Sequence, residues 1–109
     1  APETDLGFEL PVDLSTGERV DAVWKRWLEF DPLHAVEAHA DAWRSLEHLH
    51  LECGTSDEFH LQFGLRRLVR RLEELEIPHH HEEFEGGHFK INDRYLVVIP
   101  RLVEALSRA

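Results

Sequence analysis

The sequence predicts an α/β fold organised around one βαβ unit, and three observations carry that expectation. Residues His48 to Cys53 alternate apolar and polar, placing Leu49, Leu51 and Cys53 on one side of a short strand. Leu61, Leu65, Leu68, Leu72 and Leu75 then recur at spacings of four, three, four and three, the pattern of a helix over residues 58–76. A second strand-like run, His79 to Phe84, follows the Ile77-Pro78 stop. Two strands joined by a helix of that length pair in parallel, through a right-handed crossover.

The remaining elements are read in order along a single domain, residues 1–109. Residues 1–18 hold Pro2, Gly7, Pro11 and Gly17 and read as an irregular segment, with Phe8, Leu10, Val12 and Leu14 as candidate surface anchors. Residues 19–47 read as helical. Val20, Val23, Trp24, Trp27 and Leu28 make one apolar stripe ending at Asp31-Pro32, because the residue before a proline is pushed out of the helical region. Pro32 then opens a second short helix to about Ala40, and Ala42, Trp43 and Leu46 suggest a further turn. Residues 48–109 form a βαβα unit. Ser56 or Asp57 is placed to cap the long helix, Gly86-Gly87 makes a turn, and Ile91 to Leu106 returns to helical spacing with Pro100 inside it.

Charge excludes two classes of partner. Acidic residues outnumber Lys and Arg by 22 to 12, a net charge of −10, whereas duplex DNA and anionic membranes recruit basic surfaces. No apolar run has the length of a membrane span. One cysteine closes no internal disulfide, which favours a reducing, cytoplasmic setting, and Cys53 reads as core packing. The chain opens at Ala1 and holds no Met, which reads as a processed product, a trimmed sequence or a fragment of something longer.

Reactive groups in parallel sheets gather beyond the carboxyl ends of the strands. Asp57 lies just past the first strand and His88 just past the second, so neighbouring strand tips bring a carboxylate to an imidazole. The acid then fixes the imidazole tautomer and leaves the other ring nitrogen as a base. The alternative is an ordinary helix cap beside an ordinary turn histidine. The chain has no nucleophile to match: Ser15, Ser45, Ser56 and Ser107 all lack the glycine-flanked turn that exposes a reactive hydroxyl.

The run Leu51-Glu-Cys-Gly-Thr-Ser-Asp57-Glu-Phe59, the long helix, and Glu82-Glu-Phe-Glu-Gly-Gly-His88 with its tyrosine-containing helix together resemble the C-terminal part of the putative esterase family. These are α/β hydrolases related to esterase D, S-formylglutathione hydrolase and enterochelin esterase. The resemblance extends over residues 8–106, including Trp27 and Asp31-Pro32-Leu33. It implies a three-layer α/β-hydrolase sandwich of which this chain is the C-terminal portion. It also implies catalytic roles for Asp57 and His88 as the acid and base of a Ser-Asp-His triad acting on a small ester. The family's serine elbow and oxyanion loop have no counterpart here, so the chain alone is expected to be inactive. Its expected partners are the missing N-terminal half or another copy, through an exposed sheet edge. The competing expectation is a non-catalytic assembly module using that edge and the leucine-rich helix.

Three further signals are read as structural. The run His79-His80-His81, with His48 and His50 on the neighbouring strand, suggests a four-imidazole patch in which His79 and His81 share a face. It reads as adventitious nickel or zinc binding, and no metal or cofactor is assigned. Arg66, Arg67, Arg70 and Arg71 beside Glu73, Glu74 and Glu76 read as a solvated, partly ion-paired helix face, and Trp24, Trp27 and Trp43 as packing residues. Phe89 and Tyr95 read equally as helix packing or as the border of an acyl pocket.

Overall fold

The structure, a computed structural model, describes residues 7–108 and is a mixed α/β arrangement. The chain divides into two compact units, one ending at Ala38 and the other starting at His39.

In the first unit, residues 7–20 are largely irregular. The carboxylate of Asp13 accepts the N–H groups of Ser15 and Thr16, closing a turn that brings Val12 and Arg19 together as an antiparallel bridge. Helix α1 (Asp21–Leu28) and helix α2 (Pro32–Ala38) follow, and the Asp31 carboxylate accepts the Leu33 N–H at the break between them. Val23 and Val36 are fully buried. Trp24 and Trp27 correct the packing expectation: both stay more than a third exposed, as do Phe8, Val12 and Leu14.

The second unit runs α3 (Ala40–Arg44), β1 (His50–Gly54), α4 (Leu61–Glu74), β2 (His80–Phe84), a single 3-10 turn at Asn92–Arg94 and α5 (Tyr95–Ser107). β1 and β2 pair in parallel, with His50 opposite His80 and Gly54 opposite Phe84. Strand alternation then gives the pair two different faces. Leu51, Cys53, His81 and Glu83 share one face, and Arg66 of α4 grips Glu83 there at 2.7 Å. His50, Glu52, His80 and Glu82 share the other, where Arg94 and Arg101 reach across from the 3-10 turn and α5. The strand pair thus packs against α4 on one face and is bridged by arginines on the other.

The core of this unit is built by α4. Leu68, Val69 and Leu72 are buried with Cys53 and Ile77, and Leu72 has no exposed surface. The buried stripe is rotated from the predicted leucine ladder: Gln62 is buried, while Leu61 is exposed. The C-terminus of α4 closes as a full Schellman turn, in which Ile77 N–H donates to the Leu72 carbonyl and Glu76 N–H to that of Glu73. The Arg44 guanidinium caps the Leu75 carbonyl from α3. The predicted N-cap is corrected: His60, in left-handed conformation, precedes α4 and makes no side-chain cap bond.

Candidate active site

The end of β1 and the end of β2 are fastened to each other by backbone. Thr55 N–H donates to the Phe84 carbonyl and Ser56 N–H to that of Gly86, both at 2.9 Å. This contact admits no side chain at Gly54, whose Cβ would lie 2.8 Å from the Gly87 carbonyl oxygen and closer still to that of Gly86. Gly86 itself has a φ of +154°, a region that favours glycine. Gly87 has a different reason to be glycine, since a Cβ there would run into the Glu58 carboxylate.

The turn that follows Gly54 points Asp57 inward. Asp57 N–H closes onto the Gly54 carbonyl, and the Asp57 side chain is only 2% exposed. Its Oδ1 accepts the Phe59 N–H at 2.7 Å, an Asx turn, which spends the side chain on the loop and explains why it does not cap α4. Its Oδ2 faces His88 Nδ1 at 3.1 Å and takes a longer contact of 3.6 Å from the Cys53 thiol.

His88 is held from three sides. Its backbone N–H donates to Glu58 Oε2 at 2.9 Å, its Nδ1 faces Asp57, and its ring is flanked edge-on by Phe59 and Phe89 at 4.8 and 5.0 Å between centroids. The ring is 39% exposed, and Nε2 has no hydrogen-bond partner among the described residues. An imidazole anchored through Nδ1 to a carboxylate, with Nε2 open, is prepared to take a proton from a nearby donor.

Electrostatics agree with an ionised acid. Burial works against charge on Asp57, yet the bonds from His88, the Phe59 N–H and Cys53 outweigh it and hold the carboxyl below its usual range. The His88 backbone N–H chiefly lowers Glu58. Burial, reinforced by the Asp57 charge, raises the Cys53 thiol, so it stays protonated and is a poor nucleophile.

Beside the pair lies a cavity of about 300 Å³, whose lining includes Cys53, Asp57, Leu61, Leu65, Phe84 and His88. Both predicted site residues therefore meet as the strand order requires. Phe89 and Tyr95 are exposed and neither lines the cavity; Phe89 buttresses His88 instead. Sequence reasoning missed Glu58 and Phe59, although both immediately follow Asp57 and so share its turn.

No protein-family model matches the chain, and no curated protein matches it. Among the described residues, no helix is long and apolar enough to cross a membrane.

Proposed function

We propose that this chain supplies the acid and base of a serine carboxyl-ester hydrolase, as the C-terminal part of an α/β-hydrolase sandwich. The observation that carries the reading is the 3.1 Å contact between Asp57 and His88 beyond the carboxyl ends of two parallel strands, with Nε2 left open. In this role a serine outside the chain attacks the ester carbonyl, and His88 takes its proton at Nε2 and later delivers it to the leaving alcohol. Asp57 holds the productive tautomer and stabilises the imidazolium. The apolar side chains around the cavity suit a small acyl or alkyl group.

A second reading, a non-catalytic assembly module, is favoured by α5. Tyr95, Leu96, Ile99, Val103 and Leu106 are all exposed on that helix, an apolar surface that asks for a cover. The hydrolase reading covers it with the rest of the sandwich or with a second copy.

One experiment separates them: fluorophosphonate labelling and p-nitrophenyl ester turnover, measured on this chain and on the product of the longer reading frame that encodes it. The chain alone is expected to be silent, and the longer protein to label on a serine. His88→Ala or Asp57→Asn should then reduce kcat by about 10⁴-fold. A longer protein without a reactive serine, or one whose labelling ignores His88→Ala, overturns the hydrolase reading in favour of the assembly module.

A further inference from the structure

The opposite end of the same strand pair holds a second cluster that the proposed hydrolase chemistry does not use. His50 and His80 are directly opposite in the parallel register, and their rings stack at 5.0 Å. One ring nitrogen of each and a carboxylate oxygen of Glu82 lie within 4.8 Å of one another.

Two observations mark this cluster as a cation site rather than a chance grouping. The first is that a cationic group already occupies it. Arg101 Nη1 donates to His80 Nε2 at 3.0 Å and to Glu82 Oε2 at 2.7 Å, so the histidine offers its lone pair to the same centre as the carboxylate. The second is that the His50 ring is buried and already turned toward the carboxylates: its side chain is 5% exposed, and Nε2 bonds Glu52 at 2.6 Å and lies 4.0 Å from Glu82 Oε2.

We propose that His50, His80 and Glu82 bind one divalent transition cation of the zinc class, which displaces the Arg101 guanidinium and staples the N-terminal ends of β1 and β2. Two imidazoles and one carboxylate are a common zinc donor set with an open fourth position. Bonds near 2.1 Å place ligand atoms roughly 3.4 Å apart. Small side-chain rotations of the exposed His80 and half-buried Glu82 close the gap from 4.8 Å. Charge accommodates the exchange. Arg94 keeps its two-pronged bond to Glu52 at 2.9 and 3.0 Å and its 3.1 Å contact with Glu82 Oε2, while Arg101, which is part-exposed on α5, swings to solvent. The site differs from the four-imidazole patch read from sequence, because the register pairs His80 with His50 and puts His81 on the other face. His79 bonds the Ile77 carbonyl instead.

The test uses the full chain after dialysis against EDTA, titrated with Co²⁺ for its visible d–d absorption and with Zn²⁺ by calorimetry and thermal melting. The expected result is a single tight event of one ion per chain, with a rise in melting temperature at about 0.1 mM zinc. His80→Ala and Glu82→Gln should each weaken that event by about tenfold or more, and His79→Ala should leave it unchanged. Arg101→Ala should tighten it, because the variant removes a cation that competes for His80 and Glu82; Mg²⁺, which a merely electrostatic site would take as readily as zinc, should give no event. Circular dichroism confirms that each variant folds. A wild-type chain with no one-to-one event, a His80→Ala titration that overlays the wild type, or weaker binding by Arg101→Ala overturns the proposal. None of these readouts depends on ester hydrolysis, so the two proposals fail separately.

Discussion

The two ends of the β1–β2 pair hold the same chemical types, carboxylates facing imidazoles, and use them in opposite ways. At the carboxyl ends, a buried acid meets one half-exposed histidine, and the remaining ring nitrogen is open beside a cavity. At the amino ends, Glu52 and Glu82 are gripped by Arg94 and Arg101, and the histidines between them are stacked and crowded. The difference lies in the partners rather than in the residues. Guanidinium groups engage the acids of the second cluster, and among the described residues none reaches the first. A free imidazole nitrogen on a fixed ring is what proton transfer needs, whereas a cluster already gathered around a cation suits the holding of one.

The largest expected effect comes from breaking the carboxyl end by sterics alone. Gly54→Ala drives a Cβ into the carbonyls of Gly86 and Gly87, which are backbone and cannot step aside cheaply. The variant should lose about 3 kcal/mol or more, or fail to fold, as read by urea denaturation. If the variant folds, amide exchange should quicken first at Thr55 and Ser56, whose N–H groups fasten the two strand ends. Unchanged stability would mean that the strand ends are not in contact, and the Asp57–His88 geometry would go with it.

Acid sharpens the comparison with a smaller effect spread over both ends. Arg94 chiefly lowers Glu52 and Arg101 chiefly lowers Glu82. Asp57 is lowered against its burial by the bonds described above. A carboxyl lowered on folding adds stability in full above its unfolded value, here 3.8 for Asp57 and 4.5 for the glutamates, and loses it as pH falls through the folded value. Asp57→Asn and Glu82→Gln should therefore each melt below the wild type at neutral pH. Each gap should narrow as pH falls below about 4, because the wild type is losing the same ionised partner. A gap that stays constant down to pH 3 would show that folding does not lower that carboxyl.

Much of this architecture is legible in sequence because it depends on periodicity and stops. The alternation around Leu51, the leucine spacing and Ile77-Pro78 place β1, α4 and β2 within a few residues, and their order brings Asp57 to His88. What is not legible depends on phase and on distant partners. Nothing local says that His80 rather than His79 faces His50, since that is a matter of register between strands 30 residues apart. The polar run His80-His-Glu-Glu83 gives no local sign that Arg66, Arg94 and Arg101 will pair its acids from other elements. The exposed tryptophans show the same limit: helical spacing names a stripe, but the stripe needs a partner surface to be buried.

The smallest effect tests whether the amino-end loop can be improved without touching either cluster. Glu76 ends α4 with a φ of +55°, in the Schellman position where glycine is normally found. Its side chain is exposed and sits between Leu75 and the buried Ile77, so little packing is lost by trimming it. A residue with a Cβ resists the left-handed region by roughly 1 kcal/mol. Against this, glycine gives the unfolded chain more freedom to lose. Relief of strain exceeds that entropy where the turn's two hydrogen bonds are already formed, as they are here from Glu76 and Ile77. Glu76→Gly should therefore stabilise the chain by about 0.5 kcal/mol, a rise of a few degrees in melting temperature. His60→Gly, at the matching left-handed position before α4, provides the contrast across the comparison. That loop carries Asp57 and Phe59, and the His60 N–H donates to the Asp57 carbonyl. Loosening it should erode the order of the His88 ring even where the melting temperature rises. A rise from both variants with His88 imaging as equally ordered by NMR would show that the carboxyl-end loop is no more constrained than the other, and that Asp57 and His88 owe their contact to the glycine-lined strand ends alone.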